Sequence, residues 1–207
     1  MSIDALFEQL KHPNPHLRER AMWELADKGD ETIIPRLMDV LDQEDTTYRR
    51  AAVKTLGAVG PSTIPPLVQA LLNSGNVTVR GSAAKALAQV AICYPDEPFS
   101  QEGLQGLAKA LNDSNPVVNI AAVMALGEIG SSEAFDILLA ALKTIDNVAL
   151  SVTITNTFGS IKDSRGAEVL QEIIDDDSVD NYVRESAISA LSRLELVMKN
   201  QPPSRTE

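Results

Sequence analysis

Six times along this chain, two leucine-type positions four residues apart are followed about fifteen residues later by Arg-x-x-Ala-x-x-x-Leu or a close variant. The first pattern ends at Leu6/Leu10, Leu37/Leu41, Leu67/Leu71, Leu107/Leu111, Leu138/Leu142 and Leu170/Ile174. The second ends at Leu25, Leu56, Leu87, Leu126, Phe158 and Leu191, anchors that lie 31, 31, 39, 32 and 33 residues apart. A period of this length marks a unit that buries its apolar face only against its neighbours, which is a solenoid. The apolar spacing is helical, and the alternating β-branched runs of strands are absent. The expectation is an all-α, right-handed α-solenoid, an α-α superhelix of about six short helix pairs. Residues 1–200 would form a single solenoid and 201–207 a disordered tail.

Each repeat can be read on a helical wheel with its last anchor set to zero. The position four residues earlier is Ala21, Ala52, Ala83, Ala122, Ile154 and Ala187, mostly small enough for helices to approach closely. Seven earlier come Arg18, Arg49, Arg80, Asn119, Ser151 and Arg184. An arginine here should reach carboxylates or helix-end carbonyls of the adjacent unit, a structural ladder. Gly29, Gly57, Gly60 and Gly130 fall where second helices close and suit left-handed caps. Pro15 and Pro116 suit the first turn of a second helix, and Pro35 and Pro65 the start of a first helix. The predicted pairs are 3–11 with 15–28, 31–42 with 47–59, 62–73 with 76–93, 101–112 with 116–129, 132–145 with 147–160, and 165–175 with 179–198. The stretch 92–100 is an inserted loop, in which Tyr94 and Phe99 are apolar enough to touch a partner.

The net charge of −11 argues against binding a nucleic-acid backbone. Residues 101–207 carry 16 acids against 8 bases, so most of the excess lies in that half. No run of apolar residues reaches membrane-spanning length and no secretory leader is visible, so a cytoplasmic protein without membrane insertion is expected. His12, His16 and Cys93 are too few and too scattered for a metal site. Neither a Gly-x-Ser-x-Gly elbow nor a phosphate-binding loop occurs.

The outward positions of the second helices are more informative. They carry Arg20, Trp23, Arg50, Lys54, Lys85, Met124 and Asn156. In solenoids of helix pairs these helices line the concave side, so an acidic chain places its one tryptophan and four cations on one inner surface. That is either a solvated face or a groove for an anionic ligand or partner, with Trp23 as aromatic anchor. In the fifth repeat, Ser151 and Ile154 replace Arg and Ala while Thr and Asn fill outward positions. This unit is either degenerate or a polar contact surface.

The units Asp45–Gly60 and Val79–Leu87 resemble HEAT repeats of the short kind found in phycobilisome lyase subunits of cyanobacteria. The likeness extends over residues 3–198. Iron-carrying deoxyhypusine hydroxylases share such repeats, but their His-Glu pairs do not occur here. The resemblance to E/F-type phycobilin lyase subunits and related chaperone-like proteins implies assistance in joining an open-chain tetrapyrrole (a bilin) to a phycobiliprotein cysteine. The acceptor cysteine belongs to the substrate, so the protein itself needs no nucleophile. Implied partners are a phycobiliprotein subunit and a second HEAT-repeat lyase subunit, with a bilin as ligand and no tightly bound cofactor. Two alternatives stand beside this reading. One is a non-catalytic HEAT-repeat scaffold or adaptor for complex assembly or phycobilisome disassembly. The other is an enzyme whose site is gathered from distant repeats.

Overall fold

The computed structural model describes residues 1–161 and 163–199; the tail expected at 201–207 lies outside the described residues. Among the described residues the chain is all-α, built as six pairs of helices. The pairs are α1 (Ile3–Gln9) with α2 (Pro15–Ala26), α3 (Ile33–Val40) with α4 (Thr46–Val59), and α5 (Ile64–Asn73) with α6 (Val77–Cys93). They continue with α7 (Gln101–Ala110) and α8 (Pro116–Ile129), α9 (Ser132–Leu142) and α10 (Val148–Phe158), and α11 (Gly166–Asp175) and α12 (Asn181–Lys199). The repeat places every pair to within a few residues. One departure is a short 3-10 turn, Pro61–Thr63, ahead of α5. There the Thr63 hydroxyl donates to the carbonyls of Leu56 and Gly60 and folds the chain back over the end of α4.

The chain divides into two compact units, Met1–Ile129 and the part beginning at Gly130. In the first, α2, α4, α6 and α8 pack in succession as one layer, each backed by its own first helix. In the second, α10 packs on α12, with α9 and α11 behind them. The small-residue row is the seam: Ala21, Ala52, Ala83, Ala122, Ile154 and Ala187 are all 0% exposed. The anchors Leu25, Leu56, Leu87, Leu126 and Phe158 are as fully enclosed, whereas the last, Leu191, is only half-buried. In α10 the seam carries Ile154 and Phe158, and Phe158 lies 4.8 Å from Phe135 of α9, ring centre to ring centre. The larger side chains thus form a local aromatic core rather than a defect.

Each second helix opens on an Asn or Asp whose side-chain oxygen accepts a first-turn N–H. These caps are Asn14, Asp45, Asn76, Asn115, Asn147 and Asp180. A cap of this kind satisfies one of the helix's four unpaired donors and is worth about 1 kcal/mol. Four residues on comes the arginine row, and its role is more local than the sequence suggested. Arg18 donates to the carbonyls of His12 and Pro13, Arg49 to Gln43, and Arg184 to Ile174 at the end of α11 and to the Asp177 carboxylate, all within the same helix pair. Asn119 does the same, giving its amide to Ala110, Leu111 and Asp113. Only Arg80 also reaches the next pair. It donates to Ser74 and clasps Asp113 with two bonds of 2.7 and 2.9 Å, which holds the Asp113 carboxyl below its usual range. The buried Ser151 side chain is too short for this task.

Gly29, Gly60 and Gly130 take the positive φ expected of them, 62°, 96° and 60°, although Gly60, with ψ of −155°, is not a left-handed helical cap. Gly57 does not. It is helical, and a Cβ on it would lie 2.4 Å from the Gln89 Cβ and 2.8 Å from the Gln89 carbonyl carbon. Its glycine serves the close approach of α4 to α6. Gly159 does the same for α10 against Ala190 of α12. The 92–100 insertion also turns inward. The Tyr94 hydroxyl donates to the Ala58 carbonyl at 2.9 Å, its ring lies against Gly60, and the Phe99 ring lies against Gly103. Both rings, apolar enough to touch a partner, are half-buried on their own unit.

In the second unit Arg165 ties three elements together. It donates to Asp163 through two nitrogens at 2.7 and 2.9 Å, to Asp136 at 2.5 Å, and lies 4.6 Å over the Phe135 ring. Its hydrogen bonds hold the buried Asp163 carboxyl at about 2, against 3.8 for an ordinary aspartate. The folded value lies below the unfolded one, so this stabilisation is fully present above about pH 4 and is lost as pH falls through about 2. In urea unfolding of the protein followed by circular dichroism, Asp163→Asn should remove part of the wild-type fall in stability between those limits, of the order of 1–2 kcal/mol. An identical pH profile in wild type and variant would refute this.

Candidate functional site

In the first unit a cavity of about 300 Å³ lies between α2 and α4. Arg18, Glu19 and Met22 line it from α2, and Arg50, Ala51 and Lys54 from α4. Arg50 and Lys54, both expected at the site, are therefore one helical turn apart on one wall. Arg20 and Trp23 are on α2 but do not line this cavity. Each successive helical residue turns by about 100°, so Trp23 is carried round from Met22 onto the open ridge, where it is 46% exposed. Arg20 is turned farther still and pairs with Glu24 at 2.9 Å, beside the N-terminal amine. The structure thus separates the aromatic anchor from the cationic wall.

Lys85 on α6 and Met124 on α8 continue the same row and are exposed. Asn156 belongs to the second unit, where its amide is occupied at both ends. It donates to the Val152 carbonyl and the Ser186 hydroxyl and accepts from Arg193. Two threonines of that helix are similarly engaged: Thr153 and Thr157 donate to carbonyls four residues back, while the hydroxyl of the buried Thr155 has no partner. The corresponding α10–α12 groove is lined by Val148, Val152, Tyr182, Glu185 and Ser189 and offers no cation.

The electrostatics select a subset. Arg18, Arg49, Arg80 and Arg184 are held by turn carbonyls. Arg36 is held by Asp4 and the Phe7 ring, Arg165 by its aspartates, and Lys11 by Glu8. Among the described residues Arg50, Lys54 and Lys85 make no ion pair, as is true of Lys28, Lys109 and Lys143 elsewhere on the chain. In a chain of net charge −11, three uncommitted cations share one face of α4 and α6.

The sequence reading passed over two neighbours on that face. Val117 is 56% exposed and Ile120 38%, beside Met124 at 58%, which makes an open apolar stripe along α8. They stand nine and six residues before the Leu126 anchor, the register positions of Thr47 and Arg50 in α4. Reading those two rows across all repeats would have found them.

Cys93 is half-buried, and burial pushes its thiol up, away from the thiolate form. His12 and His16 are exposed at the α1–α2 turn, where His12 Nδ1 accepts from the Asn14 N–H. Among the described residues no three His, Cys, Asp or Glu side chains gather as a metal-ligand set. Nor is any helix there long and apolar enough to cross a membrane.

Known proteins share this architecture and, in two cases, much of the sequence. HEAT repeats are matched over residues 3–88, 64–148 and 104–192. An uncharacterized phycocyanin operon protein Z of Pseudanabaena tenuis is 62% identical over 197 residues, covering 95% of this chain and 97% of that protein. The bilin biosynthesis protein CpeZ of a Synechococcus species is 31% identical over 172 residues, covering 81% and 92%. Among solved structures, the complex of CpcE and CpcF of phycocyanin lyase from Nostoc matches with a TM-score of 0.51 at 21% identity, covering 75% of this chain and 96% of that one. Human deoxyhypusine hydroxylase matches at 0.53 and 20%, covering 94% and 84%. The two structural likenesses establish the fold, and the two sequence relatives establish the kinship: this chain belongs to the HEAT-repeat phycobilin lyase family.

Proposed function

We propose that this protein serves the attachment of a bilin to a phycobiliprotein cysteine, as a lyase subunit or lyase-like chaperone acting with a second HEAT-repeat subunit. The observation that carries this reading is kinship along nearly the whole chain with a phycocyanin operon protein and with a bilin biosynthesis protein. The geometry supports it in kind. The protein offers a recognition face with Arg50, Lys54 and Lys85 uncommitted, which suits a carboxylate-bearing ligand or partner. Burial pushes its only thiol up, away from the thiolate form, which suits a reaction whose nucleophile is the acceptor's cysteine.

The test mixes the purified protein with phycocyanobilin and an acceptor apo-subunit, with and without a second lyase subunit. Bilin attachment is read by absorbance, fluorescence and chromophore-peptide mapping. Correctly attached pigment should increase when the protein is present. Arg50→Glu with Lys54→Glu should reduce that gain by about tenfold, the loss of roughly one strong charge-assisted contact, while helicity stays unchanged. No gain in yield or fidelity under either condition would end the proposal.

A further inference from the structure

The exposed face of α4, α6 and α8 is polarised. At one end Arg50 and Lys54 stand on α4 without intrachain ion partners among the described residues. Lys85 follows on α6, beside Gly81 and the buried Ser82. At the far end the same register on α8 carries Val117, Ile120 and Met124, all exposed. The surface is continuous from α6 to α8, since a Cβ on Gly81 would touch Val117 at 3.9 Å. Positive charge lies on α4 and α6 and the apolar stripe on α8.

This polarity restricts the occupant. Adjacent packed helices lie 8–10 Å apart, so the face from α4 to α8 spans about 16–20 Å. A bilin carries its two propionates on its middle rings, which sets its charge at mid-length. A polypeptide helix can instead gather Asp and Glu in its first turn, where the helix dipole favours them, and continue as an apolar stripe. About 11–13 helical residues, at 1.5 Å each, match the span. Val117, Ile120 and Met124 are spaced three and four apart, so they present one ridge for a crossing helix to pack against.

We infer that this face docks an amphipathic helix of the client phycobiliprotein subunit, with its acidic first turn on Arg50 and Lys54 and its apolar side on the α8 stripe. The inference rests on the functional reading above and assigns its partner. The protein would then hold the acceptor polypeptide on this face rather than the pigment.

Ile120→Gln with Met124→Gln removes two of the three apolar side chains of the stripe. Both sites are exposed and glutamine is a good helix former, so folding should survive, with the melting temperature as control. Binding to the bilin-free acceptor subunit is measured by calorimetry, and binding of phycocyanobilin to the protein alone by absorbance titration. The stripe variant should bind the apo-subunit at least tenfold more weakly, with pigment binding unaltered. Arg50→Glu with Lys54→Glu should weaken apo-subunit binding to a similar degree. If wild type and both variants bind the apo-subunit equally, the docking face is wrong while the functional reading stands. Loss of pigment binding with apo-subunit binding intact would also overturn it, and make the face a pigment site. If the wild type neither binds the apo-subunit nor improves attachment, the functional reading fails and takes this inference with it.

Discussion

Ala52→Asp should abolish cooperative folding of the first unit. Ala52 is fully buried on the seam where α4 meets its neighbours. A carboxylate there would lose its water and find no cation, because Arg49 on the same helix is committed to the Gln43 carbonyl. Desolvating an unpaired charge costs several kcal/mol even after relaxation, comparable to the whole stability of a small domain. Protonating the new carboxyl would reduce the cost but still leave polar atoms in an apolar seam. Far-UV circular dichroism and the fluorescence of Trp23, which sits in this unit, should both report the loss. Lys54→Asp, on the exposed face of the same helix, should leave both signals near wild type. An Ala52→Asp protein that unfolds cooperatively within about 1 kcal/mol of wild type would contradict the packing described.

Phe158→Ala should destabilise the second unit by about 3–5 kcal/mol, the range for removing a fully buried aromatic ring. Phe158 meets Phe135 at a tilt of 46°, and the Arg165 guanidinium also lies over the Phe135 ring. The neighbouring Gly159 already brings the α10 backbone against Ala190, so α10 has little room to settle into the void. Phe158→Leu, which restores the residue found at this anchor in the other repeats, should cost less than half as much. Urea unfolding followed by circular dichroism measures both. Equal, small losses for the two variants would show that the ring packing carries little of the unit's stability.

Much of the candidate site was legible because outward positions follow from the helical period alone. Arg50, Lys54, Lys85 and Met124 are exposed on the second helices, as the wheel requires. The grouping was not legible. Trp23 and Arg50 occupy neighbouring repeats, yet cavity walls form between facing edges of two helices, and one residue's rotation takes Trp23 off that edge. Arg18 was placed among structural residues, and it proved to be both a turn clasp and part of the cavity wall. Asn156 and the threonines of α10 looked available because their types are polar. In the structure the hydrogen bonds of Asn156, Thr153 and Thr157 are already spent on backbone carbonyls and Ser186, and Thr155 is buried.

The sequence by itself determined the six helix pairs, their limits and the enclosed row of Ala and Leu, because period, caps and side-chain size are local properties of the chain. The tertiary structure alone decided which polar groups remain free. It showed Gly57 as a contact between helices, turned Tyr94 and Phe99 inward, and left Arg50, Lys54 and Lys85 as cations without ion partners among the described residues. The reason is physical: a residue's type fixes what it can bond to, but only the distances to its neighbours fix whether it already has.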